Sequence, residues 1–82
     1  MKSKNLTIKY FALLREQAQK SEENFVTDAT SAIELYEELA KIYGFSLSSS
    51  HVKVSINDAF EDLRSELKDG DVIVFIPPVA GG

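Results

Sequence analysis

The segment from Ser31 to about Tyr43 has a sustained helical pattern, and this one feature constrains the fold of the chain most. Its apolar residues recur at three- and four-residue intervals, which places them in one stripe along a helix: Ala32, Leu35, Tyr36, Leu39, Ile42 and Tyr43. Ser31 and Glu34 have the spacing of a capping box, and Gly44 supplies a left-handed C-terminal stop. Because a lone amphipathic helix needs a surface on which to bury its stripe, we expect the rest of the chain to form a sheet.

The remaining apolar segments are short, and most of them alternate as strands do. In the first of them, Leu6, Ile8 and Tyr10 share one face. A short helical turn follows it, and two polar segments farther along predict tight turns. The predicted strands are Leu6–Phe11, Asn24–Thr27, His51–Ile56, Ala59–Phe60 and Val72–Ile76.

This order of elements predicts an α+β roll. We expect a mixed sheet of four or five strands, with one main helix packed on one face and the first and last strands at the centre. The close spacing of the first two strands favours a hairpin-like pairing. A chain of 82 residues has room for one domain. We expect that domain to span residues 1–76 and an extended, flexible tail to span residues 77–82.

The last strand predicts an apolar patch on the open face of the sheet. If its even-numbered residues face the helix, then Ile73 and Phe75 face away from it. Phe11 likewise points opposite to the apolar face of the first strand. An exposed patch that contains Phe11 and Phe75 is typical of a protein contact. The alternative is that loops of the same chain, through Leu13 or Leu14, cover both aromatic rings.

Composition and charge narrow the functional classes. A formal charge of −4 disfavours non-specific binding to nucleic acids and to anionic membranes. The chain has no cysteine, and no apolar run is long enough to span a bilayer, so we expect a cytoplasmic protein without disulfides or thiolate metal sites. Because His51 is the only histidine, we expect neither a metal site nor catalytic groups of the chain's own.

The sequence finishes with PPVAGG. Pro77 and Pro78 fix the backbone and favour an extended segment, and beyond them the side chains shrink until none remains. Such a segment can enter a channel too narrow for any Cβ and deliver the carboxylate of Gly82 into another protein. Small residues are also typical of a frayed terminus, so composition leaves both interpretations open.

Three segments of the chain resemble one known family. They are YFALLRE at Tyr10–Glu16, SIN at Ser55–Asn57 and LKDGDVIVFIPPVAGG at Leu67–Gly82. With the length and the order of strands, they make the chain resemble the small subunits of molybdopterin synthase. The last block is the most specific part, because Gly-Gly alone is shared by several ubiquitin-like proteins. The double proline and the long helix fit this branch better than the thiamine sulfur carriers.

The resemblance implies a ubiquitin-like β-grasp fold and a sulfur-carrier role in molybdenum cofactor biosynthesis. It implies that a ubiquitin-activating-like adenylyltransferase uses ATP to adenylate Gly82, and that a sulfurtransferase or cysteine desulfurase system supplies sulfur to give a thiocarboxylate. The loaded tail would then enter the large subunit of a heterotetrameric molybdopterin synthase and donate sulfur to cyclic pyranopterin monophosphate. The small subunit would bind no cofactor and no metal, and it would not be catalytic alone.

The resemblance also assigns roles to particular residues. Gly82 is the activated residue, and the chain leading to it would thread into the partner: Pro77, Pro78, Val79, Ala80 and Gly81. The expected partner contacts are Phe11, Ile73, Phe75 and Arg15.

Three other functions remain open from the sequence. The chain could carry sulfur for thiamine synthesis or tRNA thiolation, or it could be a ubiquitin-like modifier that forms isopeptide bonds with lysines. It could also be an interaction domain whose Gly-Gly ending has no role.

Overall fold

A computed structural model of the chain describes residues 3–78, which form a mixed sheet of five strands and one main helix. The elements are β1 (Lys4–Tyr10), α1 (Ala12–Ala18), β2 (Glu22–Thr27), α2 (Ala32–Tyr43), a 3₁₀ turn (Ser49–His51), β3 (Lys53–Ile56), β4 (Ala59–Glu61) and β5 (Val72–Ile76). The strand order across the sheet is β2-β1-β5-β3-β4, with β1 and β5 parallel and every other pair antiparallel. The predicted α+β class, the antiparallel pairing of the first two strands and the interior positions of the first and last strands are confirmed.

Helix α2 begins and ends where its sequence signals predict. The Ser31 side chain accepts the N–H of Glu34, and Gly44 ends the helix with a φ of 72°. The Glu34 carboxylate accepts the N–H of Thr30 at 2.8 Å. In a capping box it would accept the N–H of the next residue, Ser31. The prediction that Ile42 belongs to the buried stripe is wrong, because its side chain is 54% exposed. The buried members of the stripe lie against the sheet.

The face assignment predicted for β5 is also wrong. Parallel pairing with β1 sets Ile73 beside Ile8 and Phe75 beside Tyr10. Both residues of β5 therefore point to the helix side, and both are 0% exposed. The even-numbered residues of β5 lie on the open face and are half-buried. Five consecutive apolar residues carry no alternation, so only the register with β1 decides which of them face the core.

Two carboxylates depart from the solvated role that the sequence predicts for acidic residues. Asp71 is buried, and Glu23 accepts the hydroxyls of Tyr10 at 2.5 Å and Tyr43 at 2.6 Å. Burial opposes the ionised form of Glu23, yet the bonds from the two tyrosines and from Lys20 prevail and lower the pKa of its carboxyl. Burial, followed by the interaction with Glu23, raises the pKa of Tyr10. The cluster joins β1, β2 and the end of α2.

The β3–β4 turn is joined to the start of β5 by its own side chain. Asn57 and Asp58 both have positive φ, 53° and 71°, as a tight hairpin turn requires. The side-chain Nδ2 of Asn57 donates to the carboxylate of Asp71 at 2.9 Å, and the side-chain Oδ1 of Asn57 accepts the backbone N–H of Val72 at 2.9 Å. This pair of bonds fixes the position of the short strand β4, and hence of Phe60, relative to the centre of the sheet.

Candidate partner-binding face

The open face of the sheet, on the side away from α2, carries an apolar surface centred on β5. Strand pairing sets Phe60 beside Ser55, and Ser55 beside Val74. Ile76 lies opposite Lys53 on β3, one step farther along β5. Val72, Val74 and Ile76 are half-buried, and Phe60 is 73% exposed. An antiparallel or mixed sheet that is covered on one side only is expected to be polar on the other, so this surface is unusual.

Phe11 extends the same surface beyond the end of β1. Its backbone is extended, with φ of −132° and ψ of 153°, and its side chain is 49% exposed. Continuing the β1–β5 register from Tyr10 and Phe75 by one residue brings Phe11 beside Ile76. We call Phe11, Phe60, Val74 and Ile76 the apolar face. Aromatic residues on an exposed apolar surface are typical of protein contacts.

Basic residues border the apolar face although the chain as a whole is acidic. Lys9 lies opposite Val74, and Lys53 lies opposite Ile76. Strand parity also places Glu22 on this side of the sheet, where it faces Lys9 across β1 and β2. The lysines flank β5 on both sides, so a partner surface that carries carboxylates would complement this face.

A groove of about 640 Å³ adjoins the apolar face at the β3–β4 edge. Val52, Val54 and Leu63 form its apolar part, and Phe60 forms part of its rim. The groove is large enough for one or two side chains of a partner, and it shares Phe60 with the apolar face.

The predicted partner contacts have different outcomes. Phe11 is exposed as expected, but Ile73 and Phe75 lie in the core and contact no partner in this conformation. Phe75 packs edge-on against Tyr36 of α2, with their ring centroids 5.3 Å apart. Arg15 is exposed on α1, and among residues 3–78 it forms no ion pair. Its contact with a partner stays a prediction.

Sequence reasoning missed Phe60, Val74 and Ile76 as members of the face. A β4 strand was predicted from Ala59–Phe60, but the sequence does not show that its aromatic ring lies on the same side as Val74. The signal that could have found it is the tight Asn57-Asp58 turn, which pairs Ile56 with Ala59 and therefore Ser55 with Phe60.

The described part of the tail leaves the domain at the border of the apolar face. Pro77 is buried, so the chain still packs against the domain there. The predicted division into a domain of residues 1–76 and a tail of residues 77–82 stays a prediction. Pro78 is exposed. The predicted threading residues Val79, Ala80 and Gly81, and the predicted activated residue Gly82, lie outside the described residues.

Within residues 3–78, no three His, Cys, Asp or Glu side chains lie close enough to hold a metal ion. His51 is exposed at the end of the 3₁₀ turn. No helix in this range is both long and apolar enough to cross a bilayer.

Comparison with known proteins agrees with the fold and with the resemblance. The sequence matches the ThiS family over residues 8–82. It is 33% identical over 81 residues to the molybdopterin synthase sulfur carrier subunit of Haemophilus influenzae, and the match covers 94% of this chain and 99% of that protein.

Two solved structures resemble the chain over nearly its whole length. One is a chain in the protein–protein complex of subunits 1 and 2 of molybdopterin-converting factor from Helicobacter pylori, with 32% identity, a TM-score of 0.61 and coverage of 95% of this chain and 99% of that one. The other is small archaeal modifier protein 1 from Methanosarcina acetivorans, with 26% identity, a TM-score of 0.78 and full coverage of both chains, 100% of each. The sheet order, the single main helix and these matches establish a ubiquitin-like β-grasp fold. The chain belongs to the ThiS family.

Proposed function

We propose that this protein is the sulfur carrier subunit of a molybdopterin synthase. The observation that carries the proposal is the apolar face, which borders the point where the chain leaves the domain toward its Gly-Gly ending. Family membership and the similarity to the Haemophilus influenzae sulfur carrier subunit support it. The chain complexed in the Helicobacter pylori structure supports a larger partner subunit.

In this proposal the chemistry takes place on the terminal carboxyl of Gly82. A carboxyl at the end of a chain is an anion at neutral pH, and the negative charge makes it resist nucleophilic attack. A ubiquitin-activating-like adenylyltransferase joins it to the AMP part of ATP and releases pyrophosphate. A persulfide sulfur from a sulfurtransferase or cysteine desulfurase system then displaces AMP. Reductive cleavage of the resulting acyl disulfide by a thiol leaves the thiocarboxylate, with one oxygen replaced by sulfur.

The role of the domain is to position the terminal carboxyl in the large subunit, and the catalytic groups lie elsewhere. The apolar face binds the large subunit, and the restrained backbones of Pro77 and Pro78 join the domain to its last four residues. Cyclic pyranopterin monophosphate and the catalytic groups belong to the large subunit. Because the sulfur is carried on the main chain, a protein without cysteine can fill this role.

The proposal is tested by reconstituting sulfur transfer with the large subunit. Thiocarboxylated protein mixed with the large subunit and cyclic pyranopterin monophosphate should yield molybdopterin, measured as its fluorescent oxidised derivative. A chain that lacks Gly82 should give no product while its circular dichroism spectrum stays that of the intact chain. Full product formation without Gly82 would refute the proposal.

The archaeal similarity favours one second candidate. Small archaeal modifier protein 1 matches this chain over its full length, so a protein-modifier role is compatible with the same fold. It predicts higher-mass conjugates of this protein in lysates of its own host, resistant to boiling in detergent and lost when Gly82 is deleted. Their absence, together with product formation in the synthase assay, separates the sulfur carrier from the modifier.

A further inference from the structure

The outer side of β2 presents an unpaired row of backbone groups. The N–H of Tyr10 donates to the carbonyl of Ser21 at 2.9 Å, and in an antiparallel ladder bonded pairs alternate with non-bonded ones. The residues that bond to β1 are therefore odd-numbered, and the N–H and C=O groups of Glu22, Asn24 and Val26 point away from it. Within residues 3–78, no strand pairs with this side of β2.

The two edges of the sheet are not equivalent. Strand β4 at one edge has only 3 residues, and very short edge strands resist pairing with other chains. Strand β2 has 6 residues and contains neither proline nor lysine, and its charged residues are Glu22 and the inward-pointing Glu23. It is thus the longer of the two edges, and its charges restrict which segments can pair with it.

One side of α2 lies along this edge. Glu34, Glu38 and Ile42 are spaced four residues apart, so they share that side of the helix. The hydroxyl of Thr27 donates to Glu38 at 2.5 Å, which holds this side of α2 against the end of β2. The exposure of Ile42, which the helical pattern predicted to be buried, is accounted for if another chain covers it.

Acidic residues border this edge, and of the nearby cations Lys20 is already paired with Glu23 at 3.3 Å and Lys4 interacts with Glu34. Glu22 lies on β2, and Glu34 and Glu38 line the adjacent side of the helix. The backbone and hydroxyl donors of Thr30 hold the pKa of Glu34 below its ordinary value, so it is charged at neutral pH. A second copy of this chain would bring the same acidic residues to the edge, whereas a segment rich in lysine or arginine would complement them.

We propose that the β2 edge binds an extended, basic segment of a partner protein as a sixth strand. Backbone hydrogen bonds to Glu22, Asn24 and Val26 would supply the pairing, as in other cases of strand addition. An apolar side chain of the segment would rest on Ile42, and its cations would face the carboxylates of α2. This site is at the opposite edge of the sheet from Phe60, and it does not depend on the sulfur-carrier role.

The test is an NMR titration of the isotope-labelled full chain with a blocked synthetic peptide of alternating valine and lysine. We expect amide shifts confined to β2 and to α2 around Ile42, weakened in about 1 M salt, where the Debye length is about 3 Å. Val26→Pro removes one outward N–H without touching the β1 ladder, and it should weaken binding about tenfold. The matched peptide of valine and glutamate should cause no shifts.

Four results would overturn the proposal. They are an absence of shifts with the lysine peptide, equal shifts with the glutamate peptide, shifts centred on the apolar face, and concentration-dependent broadening of the β2 amides without peptide, which would identify a second copy as the occupant. If Val26→Pro does not fold, Glu22→Lys and Ile42→Ala take its place, since both alter exposed side chains only. Unchanged affinity in both of those variants would also refute the proposal.

Discussion

Phe60 and Phe75 carry the same aromatic ring, but the ring of Phe60 is exposed and that of Phe75 is buried. We therefore expect the two residues to have different roles. Phe75 is 0% exposed between Tyr36 and the β1 strand, whereas Phe60 is 73% exposed on the other side of the sheet. The sequence predicted Phe75 as a partner contact, because the assumed strand parity placed its ring on the open face of the sheet together with Phe11. Only an exposed ring can contact a partner without unfolding the domain, so we expect Phe60, and not Phe75, to make such a contact.

The two phenylalanines should respond differently to truncation. Phe75→Ala removes a fully buried ring and should lower the free energy of unfolding by about 3–5 kcal/mol. Phe60→Ala should change it by no more than about 0.5 kcal/mol, because the ring packs against little. Urea denaturation followed by circular dichroism measures both. A large loss of stability in Phe60→Ala would mean that the ring belongs to the core.

Glu23 gives the fold a defined dependence on pH. Its pKa is lower in the folded chain than its ordinary value of 4.5, since Tyr10, Tyr43 and Lys20 all donate to its carboxylate. A depressed pKa means that the stabilisation is complete above the unfolded value and is lost as the pH falls through the folded one. In Glu23→Gln the contribution is absent at every pH.

The stability difference between the native chain and Glu23→Gln should therefore be largest at neutral pH and shrink below about pH 4.5. Thermal melts at a series of pH values measure it. Glu16→Gln is a matched control, because Glu16 is exposed on α1. A difference that stays constant down to pH 3, or that grows as the pH falls, would contradict the assigned network.

At the scale of elements, the sequence predicts features that depend on neighbouring residues, but it does not predict features that depend on pairing between distant strands. Ser31, Glu34 and Gly44 predicted both ends of α2 because capping depends on residues within one turn of the helix. The turn at Asn57-Asp58 was predicted for the same reason. The side chains of β5 that face the core were not predicted correctly, because the choice depends on pairing with β1, some sixty residues earlier in the chain. Ile42 was misplaced because helical spacing alone does not show how wide the covered stripe is.

The C-terminal cap of α2 offers a test at this scale. Gly44 has a φ of 72°, and a Cβ added there would meet no atom within 4 Å. The cost of Gly44→Ala is therefore conformational strain alone, about 1 kcal/mol of unfolding free energy. Chemical denaturation of the variant should show this loss with an unchanged denaturant dependence. A variant as stable as the native chain would show that the helix ends without the left-handed residue.

At the scale of the whole molecule, the sheet separates two surfaces. One side of the sheet packs on α2, and the other carries the apolar face that leads to the tail. The family resemblance could be predicted from the terminal block and two short motifs, and the comparisons confirm it. The composition of the face could not be predicted, because Phe11, Phe60 and the β5 pair Val74 and Ile76 come from three separate segments that only the sheet topology joins.

The apolar face should control affinity for the large subunit. Phe60→Asp places a charge at its most exposed point and should weaken binding at least tenfold, while thermal stability stays close to that of the native chain. Val26→Asp is the matched control, because Val26 is also exposed on the open side but lies on the far strand β2. Calorimetric titration with the large subunit measures both. Equal affinities for the two variants would argue against this face.

The most direct measurement is the intact mass of the protein after incubation with the activating enzyme, ATP and a sulfur donor. We predict a mass gain equal to the replacement of one oxygen by one sulfur, located by fragmentation on Gly82. Omitting ATP should prevent the gain. An unchanged mass with an activating enzyme that is active on another carrier, or a gain located anywhere except Gly82, would contradict the account.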